Sequence, residues 1–448
     1  MTDQAAAPPP PDPLAALRTK SYVQLLVLAA LVGIPVSAVA YGFLKLVSVL
    51  QHWFFHSLPG ELGFHGLPVW WPLPLLGIAG ILVALSITFL PGTSGHQPAE
   101  GFQAGVAPTA AELPGVFFAA LATLSFGVVL GPEAPLIAIG GCLGALAVKL
   151  AAKDAPPTAA TVMAAAGSFA AVSTLLGSPI VGAFLMMEVS GIGGPMLGMI
   201  LVPGLLAAGV GTLVFVGLNN LTGFGTFSLA IPGIPSFSHP TLGLIGWGIV
   251  IGLICPFIGT GVRLSSLALQ DVVNKKRLVL TPVVGLVVAA IAIIYSQITG
   301  HPISDVLFSG QSQLPSLVLH PSGYTVAALV FLLVCKALAY SFSLSSFRGG
   351  PIFPSMFIGG ALGIAMAHLP GMSLVPGVAM GIGAMVTVML KLPMTATLLA
   401  TLLLSSDALA LAPLVIVAVV VSYVLTAWMP QKPSDLSAAL HKTSVASG

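Results

Sequence analysis

Charged side chains are missing from long stretches of this chain, namely residues 21–44, 155–187, 189–262, 306–335 and 349–390. A single crossing of a hydrocarbon core takes ~20 apolar residues, so the longest of these runs must cross more than once. The apolar pattern predicts full spans near 21–50, 73–90, 196–216, 242–262, 281–298, 325–342 and 411–428. Between them lie apolar pieces such as 355–367 and 377–390, close to the ~10–14 residues of a re-entrant or half-helix. Lipid leaves backbone groups no water to bond, so uninterrupted apolar runs of this length must be helical. The chain reads as an all-α polytopic membrane protein.

Composition sharpens that reading. Of 448 residues, 57% are hydrophobic and 6% charged, whereas an ordinary soluble domain has about a quarter of its residues charged. The net charge of +2 offers no field for nucleic acid. Basic residues gather at Arg18 and Lys20, at Lys275, Lys276 and Arg277, and at Lys432 and Lys442. The positive-inside rule places these segments and both termini in the cytoplasm of a multi-pass protein of the plasma membrane. Residues 1–20 are rich in Ala and Pro and read as a disordered tail. The apolar stretch after them is too long for a signal peptide and reads as a retained span. Cys142, Cys255 and Cys335 stand alone in apolar surroundings, with no metal-ligand or disulfide spacing, and no cofactor is expected. An intramembrane hydrolase would need a nucleophile with a base; Gly177-Ser178-Pro179 forms no nucleophile elbow, so the chain does not read as an enzyme.

Glycine and proline change the picture further. The chain holds 51 Gly and 37 Pro, well above average use of about 7% and 5%, and many interrupt the apolar segments. Irregular backbone at membrane depth survives only when it is buried in protein or lines a wet cavity. Pro135 to Gly144 read PLIAIGGCLG and Pro354 to Gly363 read PSMFIGGALG, both fitting P-x-x-x-I-G-G-x-L-G at an offset of 219 residues (354 − 135). Each copy follows a Gly-containing loop, Gly131-Pro132-Glu133-Ala134 in the first and Arg348-Gly349-Gly350-Pro351 in the second. A later proline in each half, Pro179 and Pro393, also opens an apolar helix. Duplicated halves with broken helices place a substrate site where the loops meet. Converging helix N-termini carry unpaired N–H groups and partial positive charge, so that site favours an anion.

Glu133 is the main candidate for chemistry. It stands between two prolines at the mouth of a helix, and a carboxylate at membrane depth costs several kcal/mol unless it serves a pathway or is paired. Its charge can occupy the anion site it borders, and protonation would release it and open the path. The competing role is capping backbone N–H groups. Glu188 ends a long apolar run and reads equally as an inner proton relay or a helix-end carboxylate.

These motifs resemble the CLC family of chloride channels and chloride/proton antiporters. Residues 127–144, GVVLGPEAPLIAIGGCLG, look like the segment built on G-R-E-G-P, with Glu133 in the place of the gating glutamate. GTSGHQP at 92–98 resembles the first anion-binding loop and puts Ser94 in the place of the hydroxyl donor. Residues 336–363, ending FRGGPIFPSMFIGGALG, resemble the G-x-F-x-P region with its upstream Lys336, and GSPIVGAFLMME at 177–188 resembles the helix after the first re-entrant pair. The resemblance covers most of the chain from the first span to about Pro430. It implies an inverted repeat with halves near 21–217 and 240–430 inside a 21–430 membrane domain. It also implies a homodimer with one anion pore per subunit, and chloride/proton exchange or passive chloride flow. With a short cytoplasmic tail at 431–448, no regulatory domain is expected after it.

The resemblance assigns the anion site to Ser94, to the backbone of Gly131, Pro132 and Ala134, and to that of Gly350, Pro351, Ile352 and Phe353, with His96 and Gln97 as auxiliary donors. Departures matter here. Pro132 stands for the family Arg, Ala134 for Gly, and Ile352 for Phe. Pro351 has no N–H to offer an anion. Val189, next to Glu188, stands where the family has its inner proton glutamate, and no Tyr lies near Leu436 where the pore tyrosine is expected. The reading is transport of chloride or a similar small anion with loose proton exchange, gated by Glu133. A passive chloride channel is the alternative, and a carrier of organic anions a third reading that would need a fixed cationic anchor.

Overall fold

The structure, a computed structural model, describes residues 17–103, 107–151, 155–191, 195–223, 231, 233–237, 239–404 and 408–434. The Ala/Pro-rich start up to residue 16, Leu436 and most of the tail lie outside these. The first half contains α1 (Lys20–His52), α2 (Pro72–Phe89), α3 (Leu113–Ser125), α4 (Glu133–Ala151), α5 (Pro157–Leu176), α6 (Pro179–Ser190) and α7 (Pro195–Thr222). The second contains α8 (Leu242–Lys275), α9 (Arg277–Thr299), α10 (Gln313–Leu319), α11 (Val326–Ser346), α12 (Ile352–Met366), α13 (Leu374–Leu390), α14 (Pro393–Leu403) and α15 (Ala408–Trp428).

Local chemistry sets many of the starts. Pro157, Pro179 and Pro393 each open a helix, where the missing N–H costs nothing and φ is already helical. The hydroxyls of Thr19, Ser178, Thr241 and Thr325 accept an N–H of the first turn of α1, α6, α8 and α11.

Among the described residues nine helices are long and apolar enough to cross a membrane. Seven fall where the hydrophobic pattern puts a span. The other two are α4 and α5. In α5, 72% of the apolar window is buried inside the protein, which explains its Ala, Gly, Ser and Thr content: it faces protein where the other spans face lipid. The short apolar helices α12 and α13 (15 and 17 residues) fall at the expected half-helices.

The helix pairings repeat across the two halves. In the first half α1 packs on α5 and α7, α4 on α5, and α2 on α3; in the second α8 packs on α13 and α15, α12 on α13, and α9 on α11. Where the halves meet, equivalent helices pair with each other, α2 with α9 and α6 with α14. This is the inverted repeat of broken and re-entrant helices. The repeated motif now has a physical reason. A Cβ at Gly140 would overlap the carbonyl of Gly167 on α5, and one at Gly359 would overlap that of Gly381 on α13. The I-G-G-x-L-G pattern is the crossing surface of α4 on α5 and of α12 on α13.

Candidate anion site

The α3–α4 loop of one half meets the α11–α12 loop of the other. The Gly131 amide donates to the Gly350 carbonyl at 2.8 Å and the Gly350 amide returns the bond at 2.6 Å, an isolated antiparallel bridge. Two side chains reinforce it: Ser343 Oγ accepts from the Val129 amide, and Thr123 Oγ1 from the Arg348 amide.

Beside this bridge lies Glu133, first residue of α4 and fully buried. Its Oε1 accepts the Phe353 amide at 2.8 Å, with the amides of Ile352 and of Glu133 itself also acting on the carboxylate. Oε2 is buried without a hydrogen-bond partner. Phe353 is the second residue of α12, so a carboxylate from the first half caps the N-terminus of a helix in the second. Gly131 and Gly350 form its walls, since a Cβ on either would overlap Oε2. An amide cradle at a helix N-terminus suits any small anion, and here a side-chain carboxylate fills it.

Among the described residues, Ser94 and Ala134 make no hydrogen bond to the Glu133 carboxylate. They line a cavity of about 340 Å³ that also includes Thr93, His96 and Arg348. Ser94 has φ 55, in the left-handed region, and its buried Oγ has no partner. His96 Nε2 pairs with the Gly101 carbonyl at 3.1 Å, and Nδ1 lies 3.9 Å from Glu100. Gln97 is turned away and accepts from Asn274 at 3.4 Å. The polar cavity adjoins the carboxylate-filled cradle through Ala134 and Gly349, the chain neighbours of Glu133 and Gly350. Pro351 offers no amide to either, and its carbonyl accepts from the Tyr340 hydroxyl at 3.0 Å.

Glu188 is committed to structure. One carboxylate oxygen accepts the Met394 amide at 3.0 Å, and the other accepts the Thr395 amide at 2.8 Å and the Thr395 hydroxyl at 2.7 Å. It caps α14 from α6, across the two halves.

The surroundings of the cradle include Tyr340 and a Phe55–Phe308 contact that the sequence did not single out, and Lys336, singled out there without its partners. Tyr340 is fully buried beside the cradle; its signal was a tyrosine inside an uncharged helix just before the repeat loop. Lys336, also fully buried, donates to the carbonyls of Asp305, Leu307 and Phe308 at 2.9–3.1 Å. The Phe308 amide donates to the Gly127 carbonyl at 2.9 Å, so this cation pins the loop that roofs the α3–α4 loop. Phe308 also packs edge-on against Phe55 at 4.9 Å, on the wall of a second cavity of about 530 Å³ that carries His52 and His56. No spacing in the sequence announces that contact. Asp305 accepts from Tyr295 and Tyr324 at 3.2 and 2.9 Å. Burial raises its pKa, against those hydrogen bonds.

Broken helices from two inverted halves, meeting at an amide cradle beside a polar cavity, point to a membrane anion transporter. The voltage gated chloride channel family matches residues 100–427, and the chain belongs to that family. YfeO of Shigella boydii serotype 4, named for ion transport, is 28% identical over 359 residues, 79% of this chain and 81% of its own length. Two solved structures share the fold at 20% identity. A slow cyanobacterial Cl⁻/H⁺ antiporter has a TM-score of 0.73, covering 90% of this chain and 94% of its own. A CLC-type fluoride/proton antiporter has a TM-score of 0.68, covering 92% and 96%.

Proposed function

We propose that this transporter carries chloride or a similar small monovalent anion through a path gated by Glu133, with loose exchange for protons. The observation that carries the reading is the Glu133 carboxylate on the Phe353 amide, at the N-terminus of α12. That cradle cannot hold a charged carboxylate and a free anion together, because two negative charges would share one set of donors. Protonation removes the competing charge, and the anion takes its place.

Looseness of the exchange is argued from Glu188. Its three hydrogen bonds to α14 make it a cap, and Val189 carries no proton, so protons reach Glu133 without a dedicated inner carboxylate. Every residue of the cradle comes from one chain, which fits one pore per subunit in a homodimer. The basic cluster Lys275–Arg277 and both termini are assigned to the cytoplasm of the plasma membrane.

The test is simultaneous recording of anion efflux and proton movement from proteoliposomes, with chloride and fluoride in parallel. Acid should stimulate flux in the parent protein. Glu133→Gln and Glu133→Ala should conduct with no pH dependence, since both remove the titrating charge. Unchanged pH dependence in either would take Glu133 out of the mechanism, and a fixed exchange ratio in the parent would refute loose coupling.

A further inference from the structure

Arg348 is a buried charge without a counter-charge. It is 4% exposed, and among the described residues no carboxylate lies within ion-pairing distance of it. Two carbonyls fix its plane: Nε donates to Thr93 at 3.2 Å and one Nη to Phe347 at 3.2 Å. A guanidinium has five N–H groups, so three remain, and the side chain lines the 340 Å³ cavity. Removing a cation from water without pairing it is unfavourable, and a ligand anion is the partner that such a charge lacks.

Two of the other polar groups on the cavity wall are already engaged. Glu112 accepts the amide and hydroxyl of Thr109 at 2.8 and 2.9 Å, and His96 is held by the Gly101 carbonyl. Ser94, whose backbone neighbour Thr93 anchors Arg348, keeps an unpartnered hydroxyl. Arg277 and Glu100 act on Arg348 from farther away, with opposite signs.

We propose that Arg348 is the anion anchor of this cavity, and that its fixed fork makes the cavity a binding site for planar monovalent oxyanions of the carboxylate or nitrate type in preference to halides. A planar guanidinium meets two oxygens of such an anion with two parallel hydrogen bonds, while a spherical halide takes no advantage of the plane. This rests on the anion-transport reading, yet it concerns Arg348 and the adjoining cavity, not the Glu133 carboxylate itself.

The experiment is equilibrium binding of labelled formate to the purified full chain, with chloride as competitor, beside formate and chloride flux from proteoliposomes. Formate should bind at least tenfold tighter than chloride. Arg348→Lys, which keeps charge and loses the fork, should reduce formate affinity about tenfold and chloride affinity, which needs the charge alone, by less than about twofold. Arg348→Gln should weaken both. Formate binding no tighter than chloride in the parent protein overturns the proposal whatever the variants do, and so does an unchanged formate preference in Arg348→Lys. In Glu133→Gln, the part of formate binding that is lost on adding Arg348→Lys should keep the parent's affinity, so failure of the gating reading leaves this result intact.

Discussion

At the residue scale the governing contact is a carboxylate in an amide cradle with no room to spare. Glu133 is held by the Phe353 amide and walled by Gly131 and Gly350. Adding a methyl to Gly350 creates an overlap with Oε2, and overpacking typically costs about 1–3 kcal/mol. The bond from the Phe353 amide to a charged acceptor contributes about 1.5–3 kcal/mol. The two are comparable, while moving the backbone would also break the Gly131–Gly350 bridge, so the side chain gives way. Gly350→Ala should therefore displace the carboxylate and raise neutral-pH flux toward the acid-stimulated level. A flux measured at several pH values checks it, and an unchanged profile would mean that the cradle has slack. The sequence made Glu133 conspicuous as a lone intramembrane carboxylate. It did not give the Phe353 contact, because that bond joins residues 220 positions apart.

At the scale of elements, helix ends are fixed by partners from other helices as much as by their own caps. Pro393 opens α14, and Leu392 provides no side-chain cap. Glu188 on α6 supplies it. Loss of a capping side chain costs roughly 0.5–2 kcal/mol. Glu188→Ala should lower the unfolding temperature in detergent by that free energy while the pH dependence of flux persists. Loss of acid stimulation with unchanged stability would instead make Glu188 a relay. The sequence placed the proline starts and the half-helix lengths well, because Pro geometry and apolar run length are local properties. It missed α5 as a span, because a helix surrounded by protein uses small residues that apolar pattern alone ranks low, and α4, whose start at Glu133 lies inside the glycine-proline loop motif.

For the whole molecule, one buried cation holds an end of the structure together. Lys336 on α11 binds three carbonyls of the 305–308 loop, and that loop reaches Gly127 of the other half. Lys336→Met would leave those carbonyls and Asp305 without their cation. Each unsatisfied buried acceptor costs about 1–3 kcal/mol, and partial re-bonding leaves an expected loss of roughly 3 kcal/mol. Thermal unfolding in detergent would show it, and a shift near zero would mean that water replaces the ammonium.

The sequence by itself determined what is local or periodic: membrane character from apolar runs, duplication from a repeated glycine motif, and a carboxylate exposed as improbable by its surroundings. Only the tertiary structure decided which amide that carboxylate meets, that Ser94 and Ala134 line a cavity adjoining the cradle, that Glu188 caps a helix of the other half, and that Arg348 has no carboxylate partner among the described residues. The reason is physical. Hydropathy and helix breakers act over a few residues, whereas hydrogen-bond satisfaction at membrane depth is settled between the two halves, whose matching loops lie about half the chain apart and meet only when the repeat folds upon itself.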